Sequence, residues 1–245
     1  MIRTLFTREL LGGMVTPLPW VLLGGAQIVL AWIFLQVIES FAGLDTASRQ
    51  HPLTLELTLN LFGFTAVILL FAAPLIGARM LSAELRDGRF TLLASAPIGS
   101  GEIVLGKYLG LWGLLTPLCL LPALNLLLLA GATPLDAGQI AAATLGLWCS
   151  AGLFAAVSIY ASTLSAQPTS ATLSAFAVLL LLSIVGRAEQ LIDGSLSLLG
   201  WLTWNEHLLW FLFGAVRFSD LAYFALFSAV FLALAQRRLD NRRLA

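Results

Sequence analysis

Charge is what this 245-residue chain has least of: Asp, Glu, Lys and Arg make up 11% of it, against 59% hydrophobic residues. A soluble domain carries about a quarter of its residues as charges to keep its surface wetted. With less than half of that, and a mean hydropathy of +0.94, most of the surface must face lipid. The charges that are present balance, 13 basic against 13 acidic, so there is no electrostatic footprint for nucleic acid. Cysteine is almost absent. Cys119 and Cys149 lie in apolar runs with no CxxC spacing and no nearby histidine, and read as small core hydrophobes rather than metal ligands or a disulfide framework.

Catalytic patterns are missing too. His51 and His207 belong to no HExxH motif, and no paired aspartates sit inside an apolar run. Mid-span carboxylates, the usual carriers of protons or sodium, are lacking; Glu39 and Glu56 fall at run ends, where water reaches them. One stretch imitates a nucleotide site. Gly101-Glu102-Ile103-Val104-Leu105-Gly106-Lys107-Tyr108 has the spacing of a phosphate-binding loop but ends in tyrosine, where a Ser or Thr hydroxyl must hold Mg²⁺. Its interior is bulky and apolar, and no strand precedes it. Lys107 instead reads as the inner boundary of a membrane span. Gly106 and Gly110 would let that helix pack closely on a neighbour. The chain is not expected to be an enzyme or to hold a cofactor; if it moves a cargo, the energy comes from elsewhere.

What is abundant is long apolar sequence. A spanning helix needs about 20 mostly apolar residues. Runs of that kind occupy about 18–41, 57–78, 108–131, 138–164 and 170–185, with a shorter sixth at about 220–236. The first is too long for the core of a signal peptide, which has about 7–15 apolar residues, and reads as a retained helix. The fold class is therefore all-α integral membrane, one transmembrane domain over 1–245 with six spans.

Basic residues set the orientation. With the N-terminus inside, the inner face holds Arg3, Arg8, Arg79, Arg86, Arg89, Lys107, Arg237, Arg238, Arg242 and Arg243, and the outer face only Arg49, Arg187 and Arg217. Both termini are expected inside. Residues 1–16 form an interfacial helix, with Ile2, Leu5, Phe6 and Leu10 set against Arg3, Thr7 and Arg8. Residues 79–107 are the long inner connection. The outer segment 186–219 is rich in Leu and Trp and is expected to form one or two re-entrant half-helices before span six. Trp201, Trp204 and Trp210 read as interfacial anchors. Asn60 and Asn125 lie within spans two and three and Gln27 within span one; they read as helix–helix hydrogen-bonding groups, with contact to a transported molecule as the alternative.

The inner connection carries a resemblance. Arg79 through Glu84, Gly88, Thr91 and Pro97, followed by Ile103, Gly106, Lys107 and Tyr108, resembles the E-x-x-x-G-T-x-x-x-L-L-x-x-P and I-x-x-G-K-Y stretches of ABC-2 type exporter permeases, closest to those of the gliding-motility type. Arg8-Glu9-Leu10 before Pro17, and His207 through Gly214 with Asp220 through Phe224, are similar to that family's opening and outer segments. Arg89 and Phe90 depart from its usual Thr and aliphatic residue. The resemblance implies a coupling helix after span two, with Glu84, Leu85, Arg86, Asp87, Gly88, Arg89 and Phe90 seated on a separate ABC ATPase subunit, and Arg8 and Glu9 as a second contact. It also implies a second permease copy or paralogue, ATP and Mg²⁺ held by the partner, outward transport, and the bacterial inner membrane. A stand-alone secondary transporter, or a membrane scaffold or assembly factor, is the competing expectation.

Overall fold

A computed structural model of the chain describes residues 2–43, 52–88, 99–129, 131–191 and 200–244. Its elements are all helical. They are α1 (Ile2–Val15), α2 (Pro17–Gly43), α3 (Leu53–Leu57), a π-helical turn (Thr58–Phe62), α4 (Gly63–Arg86), α5 (Ser100–Leu127), α6 (Ala137–Leu164), α7 (Pro168–Leu191), α8 (Trp204–Leu212) and α9 (Phe218–Leu244). α3, the π turn and α4 form one continuous rod, and six rods are long and apolar enough to cross a membrane. The chain is a multi-pass membrane protein.

Local chemistry sets the helix ends. Pro17 and Pro168 open α2 and α7, where a missing N–H leaves nothing unbonded. Asp136 caps α6, its Oδ1 accepting from the amides of Gly138 and Gln139 at 2.9 and 3.1 Å. Gly88, at φ +70°, turns the chain away after α4 in a conformation that favours glycine. Pro74, Pro117 and Pro122 sit inside α4 and α5 without ending them, as lipid-embedded helices allow.

α6 is the axis of the bundle. It packs against α4, α5, α7, α8 and α9. Its sequence permits this, because Ala143, Gly146, Ala151, Ala155 and Ala156 are all buried and small residues let helices approach closely where no hydrophobic force pushes them together. A Cβ on Gly146 would collide with the Phe211 ring of α8. Ser150 and Ser158 donate to carbonyls of α6 itself, Gly146 and Phe154, so their buried hydroxyls are satisfied. α2 and α7 lie outside, with most of their apolar windows uncovered.

One expectation changes. Residues 79–107 are not one connection: 79–86 are the last turns of α4 and 100–107 the first turns of α5. The helical ladder extends past the apolar run because Glu84 and Lys107 find partners inside the bundle, described below. A separate coupling helix within 89–98 lies outside the described residues. In the outer segment, α8 is a short helix seated on α6, residues 200–201 are also helical, and residues 192–199 lie outside the description. Gly101–Tyr108 is helical, which is no shape for a phosphate cradle.

The rods alternate in direction and give the molecule two ends. One gathers α1, the end of α4, the start of α5 and the ends of α6 and α9. Arg242 there donates to the Leu164 carbonyl at 3.4 Å, and Gly101 lies against Gln236. This end holds Arg3, Arg8, Arg79, Arg86, Lys107, Arg237, Arg238 and Arg242, and is called the basic end. The far end gathers the π turn, the start of α6, α8 and the start of α9.

Candidate functional site

Among the described residues, the basic end contains one buried cation. Lys107 is the only lysine in the sequence, and its side chain is 1% exposed. Its ammonium donates to Glu84 Oε1 at 2.8 Å, Glu9 Oε1 at 3.0 Å and the Met80 carbonyl at 3.1 Å. An ammonium has three protons, and all three are used. Arg8 closes the cluster from the solvent side, 2.9 Å from Glu9 Oε1 and 3.6 Å from Glu84 Oε1. Two cations and two carboxylates sum to zero, the condition under which charges can be taken out of water.

Helical spacing builds this site. Met80 and Glu84 are four residues apart on α4 and share a face. Phe6, Glu9, Leu10 and Gly13 share a face of α1, and that face lies on Lys107, Gly110, Gly113 and Leu114 of α5. The approach depends on glycine: a Cβ on Gly110 would sit 2.7 Å from Glu9 Cβ, and one on Gly113 3.0 Å from Leu10 Cδ1. Gly110 lies one turn beyond Lys107, so the close contact places the Glu9 carboxylate at the ammonium. The expectation of close packing at Gly110 is met, with α1 as the neighbour.

Electrostatics follow the geometry. Burial pushes the Glu9 carboxyl up, but Lys107 and Arg8 outweigh it and hold the group below the usual glutamate range. The hydrogen bond to Glu9 holds the Arg8 guanidinium above its ordinary value. Glu84 Oε2 is buried and finds no partner among the described residues.

The residues expected at a coupling surface divide. Glu84 and Leu85 turn inward, Glu84 to Lys107 and Leu85 onto the apolar core. Arg86, Asp87 and Gly88 are exposed at the tip of α4, with Arg86 3.4 Å from Asp87. Arg89 and Phe90 lie outside the described residues. Arg8 is exposed, while Glu9 belongs to the internal cluster and is mostly covered. Asn125 hydrogen-bonds between helices as expected, accepting from Gln27 Nε2 at 2.7 Å. Asn60 does not; its amide donates to the Glu56 carbonyl of its own rod at 2.8 Å, within the π turn.

Two features at the far end escaped the sequence reading. Gln139 donates to Thr58 Oγ1 at 3.0 Å and to the Leu212 carbonyl at 2.8 Å, tying the π turn, α6 and the end of α8 together. His207 and Asp220 form a buried pair at 2.7 Å. A signal for the second existed: a histidine and an aspartate inside an otherwise apolar stretch cannot both stay buried without partners. Compared with protein-family models and with curated protein sequences, the chain matches none.

Proposed function

We propose that this chain is the membrane subunit of an ABC-2 type exporter, driven by ATP that a separate ATPase subunit binds and hydrolyses. The observation that carries the reading is the Lys107 cluster. It fastens α1, the end of α4 and the start of α5 into one block, directly beneath the exposed tip formed by Arg86, Asp87 and Gly88. A load applied at that tip would move three elements together, including two of the six spans, as coupling to an ATPase requires. The resemblance of residues 79–108 to the family's inner motifs points the same way. So does the gathering of arginines at this end, which under the positive-inside rule supports both termini lying in the cytoplasm.

In this reading the docking surface is narrower than the sequence suggests. Arg86 and Asp87 face the ATPase, and Glu84 holds the tip in place from within. ATP and Mg²⁺ sit in the partner. Six spans, with α6 closely packed at their centre, leave little room for a translocation path inside one chain, so two copies, or one copy and a paralogue, enclose it in the bacterial inner membrane.

The test is affinity purification from the native membrane with mass spectrometry, run beside Arg86→Glu/Asp87→Arg. These exposed changes leave folding intact, within about 0.5 kcal/mol. A Walker-motif ATPase recovered with the native chain and lost with the variant supports the reading. No ATPase with either, under gentle extraction, overturns it and brings a stand-alone transporter or scaffold forward.

A further inference from the structure

At the far end, one histidine faces two acceptors. The ring of His207 is 5% exposed, stacked on Tyr223 with centroids 4.0 Å apart. Its Nε2 lies 3.0 Å from the carbonyl oxygen of Trp201, and its Nδ1 lies 2.7 Å from Asp220 Oδ1. A carbonyl can only accept, so Nε2 must carry a hydrogen. With Nε2 protonated, a neutral ring offers only a lone pair at Nδ1. A lone pair facing a carboxylate oxygen at 2.7 Å is repulsive, so a second hydrogen must lie between them. It belongs either to an imidazolium or to a protonated Asp220. In both descriptions the pair holds one proton more than a neutral histidine beside a carboxylate.

Moving the hydrogen within the ring does not remove the need. The other neutral tautomer satisfies Asp220 from Nδ1 but turns the Nε2 lone pair against the Trp201 carbonyl. Without the extra proton, one of the two contacts must open. Those contacts join different parts of the chain. Trp201 lies just before α8, His207 is on α8, and Asp220 is in the first turn of α9. Tyr223 reinforces the same joint, its hydroxyl donating to the Leu202 carbonyl at 2.7 Å.

We propose that His207 and Asp220 form a proton-binding site, and that its proton fastens the Trp201–Leu212 segment to the last spanning helix. The ligand is H⁺, exchanged through an adjoining cavity of about 300 Å³ that His207 and Asp220 line together with Trp201, Glu206, Trp210 and Arg217. The charged and titratable neighbours are few. Glu206 follows from α8, Tyr223 from α9, and Arg217 from the turn before α9, where it lies over the Trp210 ring. α6, on which α8 rests, carries no acidic or basic side chain. α7 meets this region through Ser183, which accepts from Trp204 Nε1; the side chains of Arg187 and Glu189 farther along α7 lie outside the described set. Asp220 Oδ2 is buried with no partner among the described residues, so the carboxyl has a site for a proton at either oxygen.

The sign is fixed by proton count. The fastened segment binds one more proton than the released one, so release is favoured as pH rises. Within the window where that proton is lost, the opening equilibrium shifts about tenfold per pH unit. The experiment is hydrogen–deuterium exchange of the native chain in nanodiscs between about pH 5.5 and 8.5. Amide protection over residues 201–209 is read after correction for intrinsic exchange, with α6 amides as reference. Protection that falls with pH in this segment alone is the expected result. Asp220→Asn is the deciding variant, because an amide N–H can donate to Nδ1 without any titrating proton. It should keep the segment protected and make the profile flat. His207→Phe, which keeps the stack on Tyr223, should be exposed at every pH. A flat profile in the native chain, or an Asp220→Asn profile as steep as the native one, overturns the proposal.

Discussion

The two ends of this bundle bury polar groups by opposite devices. At the basic end, Lys107 spends all three of its donors on two carboxylates and a carbonyl, and opposite charges from three helices cancel. Among the described residues of the far end, no such balance is built from fixed charges. Gln139 joins three elements with a neutral amide, and His207 meets two acceptors with hydrogens it cannot both supply while neutral. The first device sets charge against charge. The second is conditional. A block that transmits force should not come apart, whereas a segment that opens and closes needs a bond that can be withdrawn.

The sharpest way to break this contrast is to remove the hub. Lys107→Ala leaves Glu9 and Glu84 facing each other without their shared cation, and removing one member of a buried ion cluster costs about 3–5 kcal/mol. The unfolding midpoint in detergent should fall accordingly. Lys107→Arg should not restore it, since the planar guanidinium does not match a compact site with three converging acceptors. Gly110→Ala ranks next. The new methyl meets Glu9 Cβ, close to the backbone, so α1 itself must move, at about 1–3 kcal/mol; faster proteolysis of α1 would report it directly. A midpoint unchanged in either variant would mean that α1 is not held as described.

Acid separates the ends by sign. Glu9 is held below the usual glutamate range, so its contribution is fully present above the ordinary value of about 4.3 and is lost as pH falls through the lowered one. The midpoint difference between the native chain and Glu9→Gln should therefore be present at neutral pH and vanish in acid, whereas the far end loosens as pH rises. The smallest effect belongs to Arg8. Its side chain is 56% exposed, and Arg8→Ala should cost under about 1 kcal/mol, most visibly at low salt. An Arg8 effect as large as that of Lys107 would show that burial is not what distinguishes them.

Much of this was legible before any fold was known. The six rods follow from hydropathy because transfer into lipid adds up over about 20 consecutive residues and needs no knowledge of neighbours. Pro17 marked where the first long apolar run opens, whereas the cap at Asp136 and the helix end at Gly88 came only with the structure. The special weight of 79–108 was visible as charge beside apolar runs. Which of those charges face outward was not. Glu84 and Arg86 are two residues apart, and a helix sends them to different sides, one to Lys107 and the other to solvent. Lys107 meets Glu9 from 98 positions away, and nothing local to either residue announces the other. His207 and Asp220 are 13 residues apart but meet only because the chain turns at Gly214, φ +84°, and lays α8 against α9. Composition and periodicity fixed what enters the membrane, since that depends on each residue's own solvation. Helix rotation and packing decided which polar groups share a proton or a charge, since that depends on angles and distances between segments that only the assembled bundle defines.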